Sequence, residues 1–326
     1  MILLKLFKNS RSAGMAGVIF LALGLLMKSL IHPPEIIAYT GMPFYNLVFG
    51  ALNTLPFLDR IVALVFLLIL CYMLVRIGAR YVLLEFRSFM PAVFFLLFAF
   101  ALPFTHQVSP VLVGSVFYLF CFAILFDVND KPPDTFSVFS AGLILAFGSM
   151  FYLKLIWFLP LVWFSLSTMR NVTWRELLYP VIAYFLLGLL LFTWYWAVLD
   201  DAARFGELLG KNLAFGRSWQ PVHFSVYIYY GFSLLLVLVA SIYMVNRFQA
   251  RKTVVQNIYQ VLFYMFIAGI LFFVFIARFD QASLLFVSFP VAFVLSNYFH
   301  RKKNHWIHEL IMWILLGLLV YVQWMN

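Results

Sequence analysis

The stretch IVALVFLLILCYMLVRI, Ile61–Ile77, opens directly behind the charged pair Asp59-Arg60 and closes on Arg76 and Arg80. An apolar run of this kind, with its flanks, approaches the roughly 20 residues that a helix needs to cross the hydrocarbon layer of a bilayer. Runs of the same kind recur along the whole chain, and the composition agrees with them. Of the 326 residues 65% are hydrophobic and only 10% are charged, with a mean hydropathy of +1.01, whereas an ordinary soluble domain is about one-quarter charged. No soluble core buries that much apolar surface. The expected fold class is therefore all-α integral membrane: a single transmembrane domain over residues 1–326, with room for about ten to twelve crossings and none for a large soluble domain.

Charges and prolines divide the chain into apolar segments at Ala13–Ile31, Ile61–Ile77, Phe89–Phe104, Val108–Phe126, Phe136–Tyr152 and Ile156–Met169, then Leu178–Leu199, Phe224–Asn246, Ile258–Ala277, Ser283–His300 and Trp306–Trp324. Several are shorter than a full span, above all the pair divided by Lys154, which invites a tilted or paired hairpin there. Met1–Ser12 has the basic start of a signal peptide, but the run behind it lacks a clear small-residue cleavage site, so it reads as an uncleaved first helix.

The net charge of +10 would suggest nucleic acid in a soluble protein; here its distribution marks topology instead. With the amino terminus inside, the inner connections hold Lys5, Lys8 and Arg11; Arg76, Arg80 and Arg87; Arg170 and Arg175; Arg247, Arg251 and Lys252; and Arg301, Lys302 and Lys303. Asp127, Asp130 and Asp134 around Lys131 are the acidic exception. The inner segments carry the whole +10 and all other charges cancel, as the positive-inside rule requires. A bundle of about eleven helices then has its amino terminus inside and its carboxyl terminus outside, and nucleic acid is no partner. Trp157, Trp163, Trp174, Trp194, Trp196, Trp219, Trp306 and Trp324 fall at segment ends as an interfacial belt.

Cys71 and Cys121 are the two cysteines; both lie in apolar runs, so no disulfide framework or cysteine zinc site is expected. The histidines show no metal-ligand spacing, and there is no Walker A sequence or glycine-rich dinucleotide fingerprint. Lys28 and Glu309 lie near span ends, where snorkelling and solvation are expected. Two outer connections are long enough to form structure, residues 32–60 and 200–223. The second spaces Asp200, Asp201, Arg204, Glu207, Lys211 and Arg217 among apolar residues, the pattern of an amphipathic helix on the bilayer surface.

Several features follow one another in an order that resembles a known superfamily. Glu35-Ile-Ile-Ala-Tyr39 and Pro43-Phe-Tyr-Asn-Leu47 precede Arg60, which opens a helix with the basic end Arg76-Ile-Gly-Ala-Arg80. Later come a helix that ends in Lys154 ahead of Leu159-Pro160, and Arg278-Phe-Asp-Gln281 ahead of Pro290. This order is similar to the membrane half of the GT-C superfamily, polytopic glycosyltransferases that use polyprenyl-phosphate-linked sugars at the outer face of the membrane. The resemblance implies a carboxylate that accepts a proton or holds a divalent metal, with Glu35 and Asp59 as candidates. It also implies cations for the lipid phosphate, with Lys154, Arg204, Lys211, Arg217 and Arg278 as candidates. Tyr39, Tyr45, Arg60 and His106 are further candidate contacts to sugar or lipid. No metal-ligand motif accompanies the two acids, so the cofactor stays unknown.

Where many members carry a second acid, this chain has Thr105-His106-Gln107-Val-Ser109. That departure motivates an alternative, a non-catalytic subunit that scaffolds other proteins of the cell envelope. The uncleaved helices and basic inner turns fit a bacterial cytoplasmic (inner) membrane, with bilayer lipid as the first partner and a polyprenyl-phosphate lipid or envelope membrane proteins as further ones.

Overall fold

A computed structural model of the chain describes residues 7, 12–31, 42–84, 88–101, 103–129, 135–197, 200, 202–213, 223–246, 251–300 and 305–325. Helices occupy almost all of them, and no strand occurs among the described residues. In chain order they are α1 (Ser12–Ile31), α2 (Pro43–Phe49), α3 (Pro56–Arg80), α4 (Met90–Phe100), α5 (Pro110–Val128), α6 (Thr135–Ser149) and α7 (Leu159–Met169). After these come α8 (Trp174–Ala197), α9 (Ala202–Leu213), α10 (Phe224–Val245), α11 (Thr253–Leu271), α12 (Leu284–Phe299) and α13 (His305–Met325). Seven helical stretches are long and apolar enough to cross a membrane: Pro56–Arg80, Pro110–Val128, Trp174–Ala197, Phe224–Val245, Thr253–Ile276, Gln281–Phe299 and Trp306–Met325. The remaining apolar segments read from the sequence also contain helices: α1, of 20 residues, and the shorter α4, α6 and α7.

Apolar length fixes which segments become helices, because a backbone in hydrocarbon must satisfy its hydrogen bonds within the segment. Prolines and a serine set several starts: Pro43, Pro56, Pro91, Pro110 and Pro160 lie in first turns, where a missing N–H costs nothing. The Ser109 hydroxyl caps α5 by accepting from the Leu112 N–H at 3.2 Å. Which helices are central is a separate matter. Every residue of α4 is buried; α12 packs along it, with Phe95 stacked on Phe289 at 5.4 Å and Phe94 against Phe299 at 4.8 Å. By contrast only 17% of the apolar window of α8 is buried, and Leu178, Ile182, Phe185 and Leu189 face outward, as lipid-exposed positions do.

Where helices meet closely, small residues permit it. A Cβ on Gly142 of α6 would sit 2.5 Å from the Cα of Pro180 in α8. Gly142→Ala is expected to force these two backbones apart and to destabilise the protein by about 1–3 kcal/mol, read as an earlier thermal transition in detergent. Gly24→Ala, where nothing lies within 4 Å, is the control and should not lower the transition.

One end of the bundle is tied by polar contacts. Arg80 pairs with Asp127 at 2.9 Å, and the Tyr81 hydroxyl bonds the same carboxylate, so an acid that stands out in a basic connection has a cationic partner. The Arg251 guanidinium lies 4.6 Å from the Tyr259 ring centroid and donates to Asn297 Oδ1 at 2.8 Å. Between α7 and α8, Arg170 donates to Glu176 Oε1 at 2.7 Å, with side chains only 13% and 5% exposed. Glu176 Oε2 also accepts from the Thr173 N–H at 3.1 Å.

Two expectations change. Glu309 is buried beside His308 rather than solvated, because α13 begins at His305 and His308 packs on the rings of Tyr298 and Phe299 at 5.1 and 5.2 Å. The amphipathic helix in the second long connection exists as α9, yet Phe205, Leu208, Leu209 and Leu213 meet Met42, Met150, Leu153, Leu191 and Tyr195. Protein therefore covers much of the face that the sequence pattern assigns to the bilayer surface.

Candidate functional site

The opposite end of the bundle collects α2, the start of α3, α9 and three short 3-10 turns at Pro103–His106, Leu153–Phe158 and Gln281–Ser283. Several residues singled out from the sequence meet here. The Tyr45 hydroxyl donates to the Val108 carbonyl at 2.9 Å, while both Asp59 carboxylate oxygens accept from the Val108 N–H at 3.2 and 3.3 Å. Arg60 is buried and donates to the Pro56 carbonyl at 3.1 Å. His106 stands edge-on to Phe100 at 5.4 Å, with Nε2 3.4 Å from the Phe100 carbonyl oxygen. Tyr45 and Asp59 thus clamp the backbone of one residue, Val108, ahead of α5.

Other candidates lie apart from this clamp. Lys211 is exposed on α9 and pairs with Glu207 at 3.6 Å. Arg204 is on α9, but its side chain, together with Glu35, Tyr39 and Arg217, lies outside the described residues.

Among the described residues, Arg278 and Phe279 are the one consecutive pair of non-glycine residues with positive φ. After Leu271 the helix α11 widens into one π turn, Phe272–Ile276, a feature frequent at functional sites. Ala277 N–H bonds back to the Phe272 carbonyl at 2.8 Å and Phe279 N–H to the Phe273 carbonyl at 2.9 Å. Arg278 and Phe279 then have φ of +46° and +64°. Two consecutive non-glycine residues in the left-handed region cost about 1–3 kcal/mol each, and such strain gathers at functional sites. Both side chains are exposed.

Beneath this turn is an apolar cavity of about 550 Å³, within the range of roughly 300–1,000 Å³ typical of ligand pockets. It arises because α10 and α11 each pack on α12 but scarcely on each other among the described residues. The α12 helix forms its floor and the two diverging helices its walls. Phe98, Tyr230, Val237, Phe273 and Leu284 line it, and Phe279 and Gln281 from the strained turn stand at its rim. No known protein family, characterised protein or solved structure matches this chain.

The turn also carries Asp280, two residues beyond Arg278. Its Oδ1 accepts from the Ala282 N–H at 3.2 Å, and its charge interacts with Lys154 across the end of the bundle. Burial raises the Asp280 carboxyl above the usual carboxylate range; the Ala282 N–H and the Lys154 charge pull it part of the way back. Lys154 itself is on the 3-10 turn Leu153–Phe158, in the break between α6 and α7. Its charge acts on Asp280 from a segment far away in sequence, and no sequence signal marks that interaction.

Among the described residues, no group of three histidine, cysteine or acidic side chains is placed to hold a metal.

Proposed function

We propose that this chain binds a phosphate-headed isoprenoid lipid, a carrier of the polyprenyl-phosphate class, at the outer face of a bacterial cytoplasmic membrane. In this reading about eleven helices cross the bilayer with the amino terminus inside, and the prenyl tail enters the cavity between α10, α11 and α12 from the lipid phase. The phosphate meets Arg278. The observation that supports the reading is an apolar cavity lined by Phe279, whose neighbour on the same strained turn is the exposed Arg278. An amphiphile needs those two environments side by side, and a guanidinium matches the fork of phosphate oxygens. Carrier binding is favoured over sugar transfer because the Asp59 carboxylate is committed to the backbone of Val108, which leaves it poorly placed to take a proton from an acceptor.

Binding of farnesyl phosphate and of farnesol to the protein in lipid nanodiscs tests this directly. The phosphate is expected to bind at least about tenfold more tightly, and Arg278→Gln to remove that preference, since a hydrogen bond to a charged group contributes about 1.5–3 kcal/mol. Equal affinity for the two probes in the native protein would sink the proposal. Co-purification of a stable membrane partner seated over the cavity would instead favour a scaffolding subunit.

A further inference from the structure

The end of the bundle opposite the cavity holds a cation that no acid balances. Arg251, just ahead of α11, folds its side chain back along that helix, with the guanidinium 4.6 Å from the Tyr259 ring centroid. Nη1 donates to the Leu83 carbonyl at 3.3 Å and Nη2 to Asn297 Oδ1 at 2.8 Å. Each of these partners is neutral. Among the described residues Arg251 makes no ion pair. Asp127 belongs to the same end, since Asn129 donates to the Val254 carbonyl in the first turn of α11 at 3.3 Å, but its carboxylate is already held by Arg80 and Tyr81.

Asn297 shows what this guanidinium lacks. The residue is only 8% exposed. Because an arginine can donate and never accept, Oδ1 has to face Arg251, and Nδ2 is the group left over. That Nδ2 is buried with no hydrogen-bond partner, a state in which a polar group has lost water and gained nothing in its place. Belonging to the same amide, it stands beside the guanidinium. An orphaned donor and an unbalanced positive charge in one place select one kind of guest. A cation is repelled by Arg251, and a neutral acceptor leaves the charge unbalanced; an anion with several oxygens answers both. Lys252, exposed at the head of α11, and the first-turn N–H groups of that helix, which no side chain caps, add positive potential.

We infer that Arg251 and Asn297 form a phosphate-binding site at this end of the molecule, with Lys252 as a flanking charge. The guanidinium N–H groups that remain match the fork of phosphate oxygens, and Asn297 Nδ2 supplies a further hydrogen bond. The surroundings favour a phosphate borne by a membrane lipid. Ile242 and Val245, at the end of α10 that leads toward Arg251, are 65% and 67% exposed, so acyl chains can lie along that helix while the head group reaches the guanidinium. Basic pockets between transmembrane helices hold lipid head groups in this way. The site does not depend on the cavity or on Arg278.

The test is made on the full-length Arg278→Gln protein in a neutral detergent, a background in which that arginine offers no second phosphate contact. The probes are dioleoylphosphatidylglycerol, dioleoylglycerol, which lacks the phosphate, and inorganic phosphate. Phosphatidylglycerol is expected to bind at least about tenfold more tightly than dioleoylglycerol, the effect of hydrogen bonds to a charged group. Arg251→Gln should remove the preference. Asn297→Asp keeps an acceptor for Arg251, supplies the missing negative charge and takes away the orphaned donor. It should abolish the preference while its thermal transition without added anion is no lower than that of its parent, so the loss of binding is not a loss of fold. Inorganic phosphate that binds as tightly as phosphatidylglycerol assigns the site to a soluble phosphate, and much weaker binding assigns it to a lipid. Equal affinity for phosphatidylglycerol and dioleoylglycerol, or a preference that survives both Arg251→Gln and Asn297→Asp, overturns the inference.

Discussion

Glu176→Gln is expected to destabilise the protein by about 3–5 kcal/mol, the cost of leaving a buried charge without its partner. Arg170 and Glu176 are almost wholly removed from solvent and meet at 2.7 Å, and two further nitrogens of Arg170 are buried with no acceptor among the described residues. Glu176 is thus the acceptor that compensates this guanidinium, and it also holds the Thr173 N–H at the start of α8. The measurement is thermal or denaturant unfolding in a fixed detergent. The double variant Arg170→Met with Glu176→Gln separates the causes: it should be more stable than Glu176→Gln alone, because the stranded charge is gone. If both variants unfold together with the native protein, the pair does not hold the α7–α8 turn.

Filling the cavity gives the second large effect. Leu284 is the first residue of α12 and lines the cavity near its rim. Leu284→Trp directs an indole into the space assigned to the tail. Affinity for farnesyl phosphate and for farnesol is expected to fall by more than tenfold together, because a lost apolar site affects both probes, at about 25 cal/mol per Å² of buried apolar surface. Arg278→Gln should weaken only the phosphate-bearing probe. The two variants therefore report on tail and head separately. If Leu284→Trp is folded and binds both probes normally, the lipid does not occupy this cavity.

The helices themselves were largely legible in the sequence. The run Ile61–Ile77 lies within α3, and the other apolar segments each contain a helix, because hydrocarbon length and the need for internal hydrogen bonds act on local sequence. The boundaries shifted by a few residues, mostly where a proline opens a helix early, as Pro56 does, or where a turn tightens or widens, as at Leu153–Phe158 and Phe272–Ile276. Asp59 was legible as an important acid at the head of a span, but not its partner: the Val108 N–H it accepts from is supplied by a turn 49 residues away. Asp280 stands two residues after Arg278 in the sequence, and beyond the left-handed backbone at Arg278 and Phe279 its charge interacts with Lys154 from a distant segment. No residue type predicts that backbone, since glycine and not arginine or phenylalanine is the usual occupant of such a conformation.

By itself, then, the sequence determined a polytopic helical membrane protein, the approximate position of its helices and the basic character of one set of connections. These follow from hydropathy, chain length and charge placement, which are properties of contiguous residues. Only the tertiary structure decided that α4 and α12 form the interior while α8 faces outward, that α10 and α11 part over α12 to leave a cavity, and that Tyr45 and Asp59 meet at the backbone of Val108. In a chain where nearly every helix is apolar all round, hydrophobicity no longer distinguishes a face that meets lipid from one that meets protein. Shape, close approach at residues such as Gly142, and the few buried polar contacts make that distinction, and they exist only once the helices are packed.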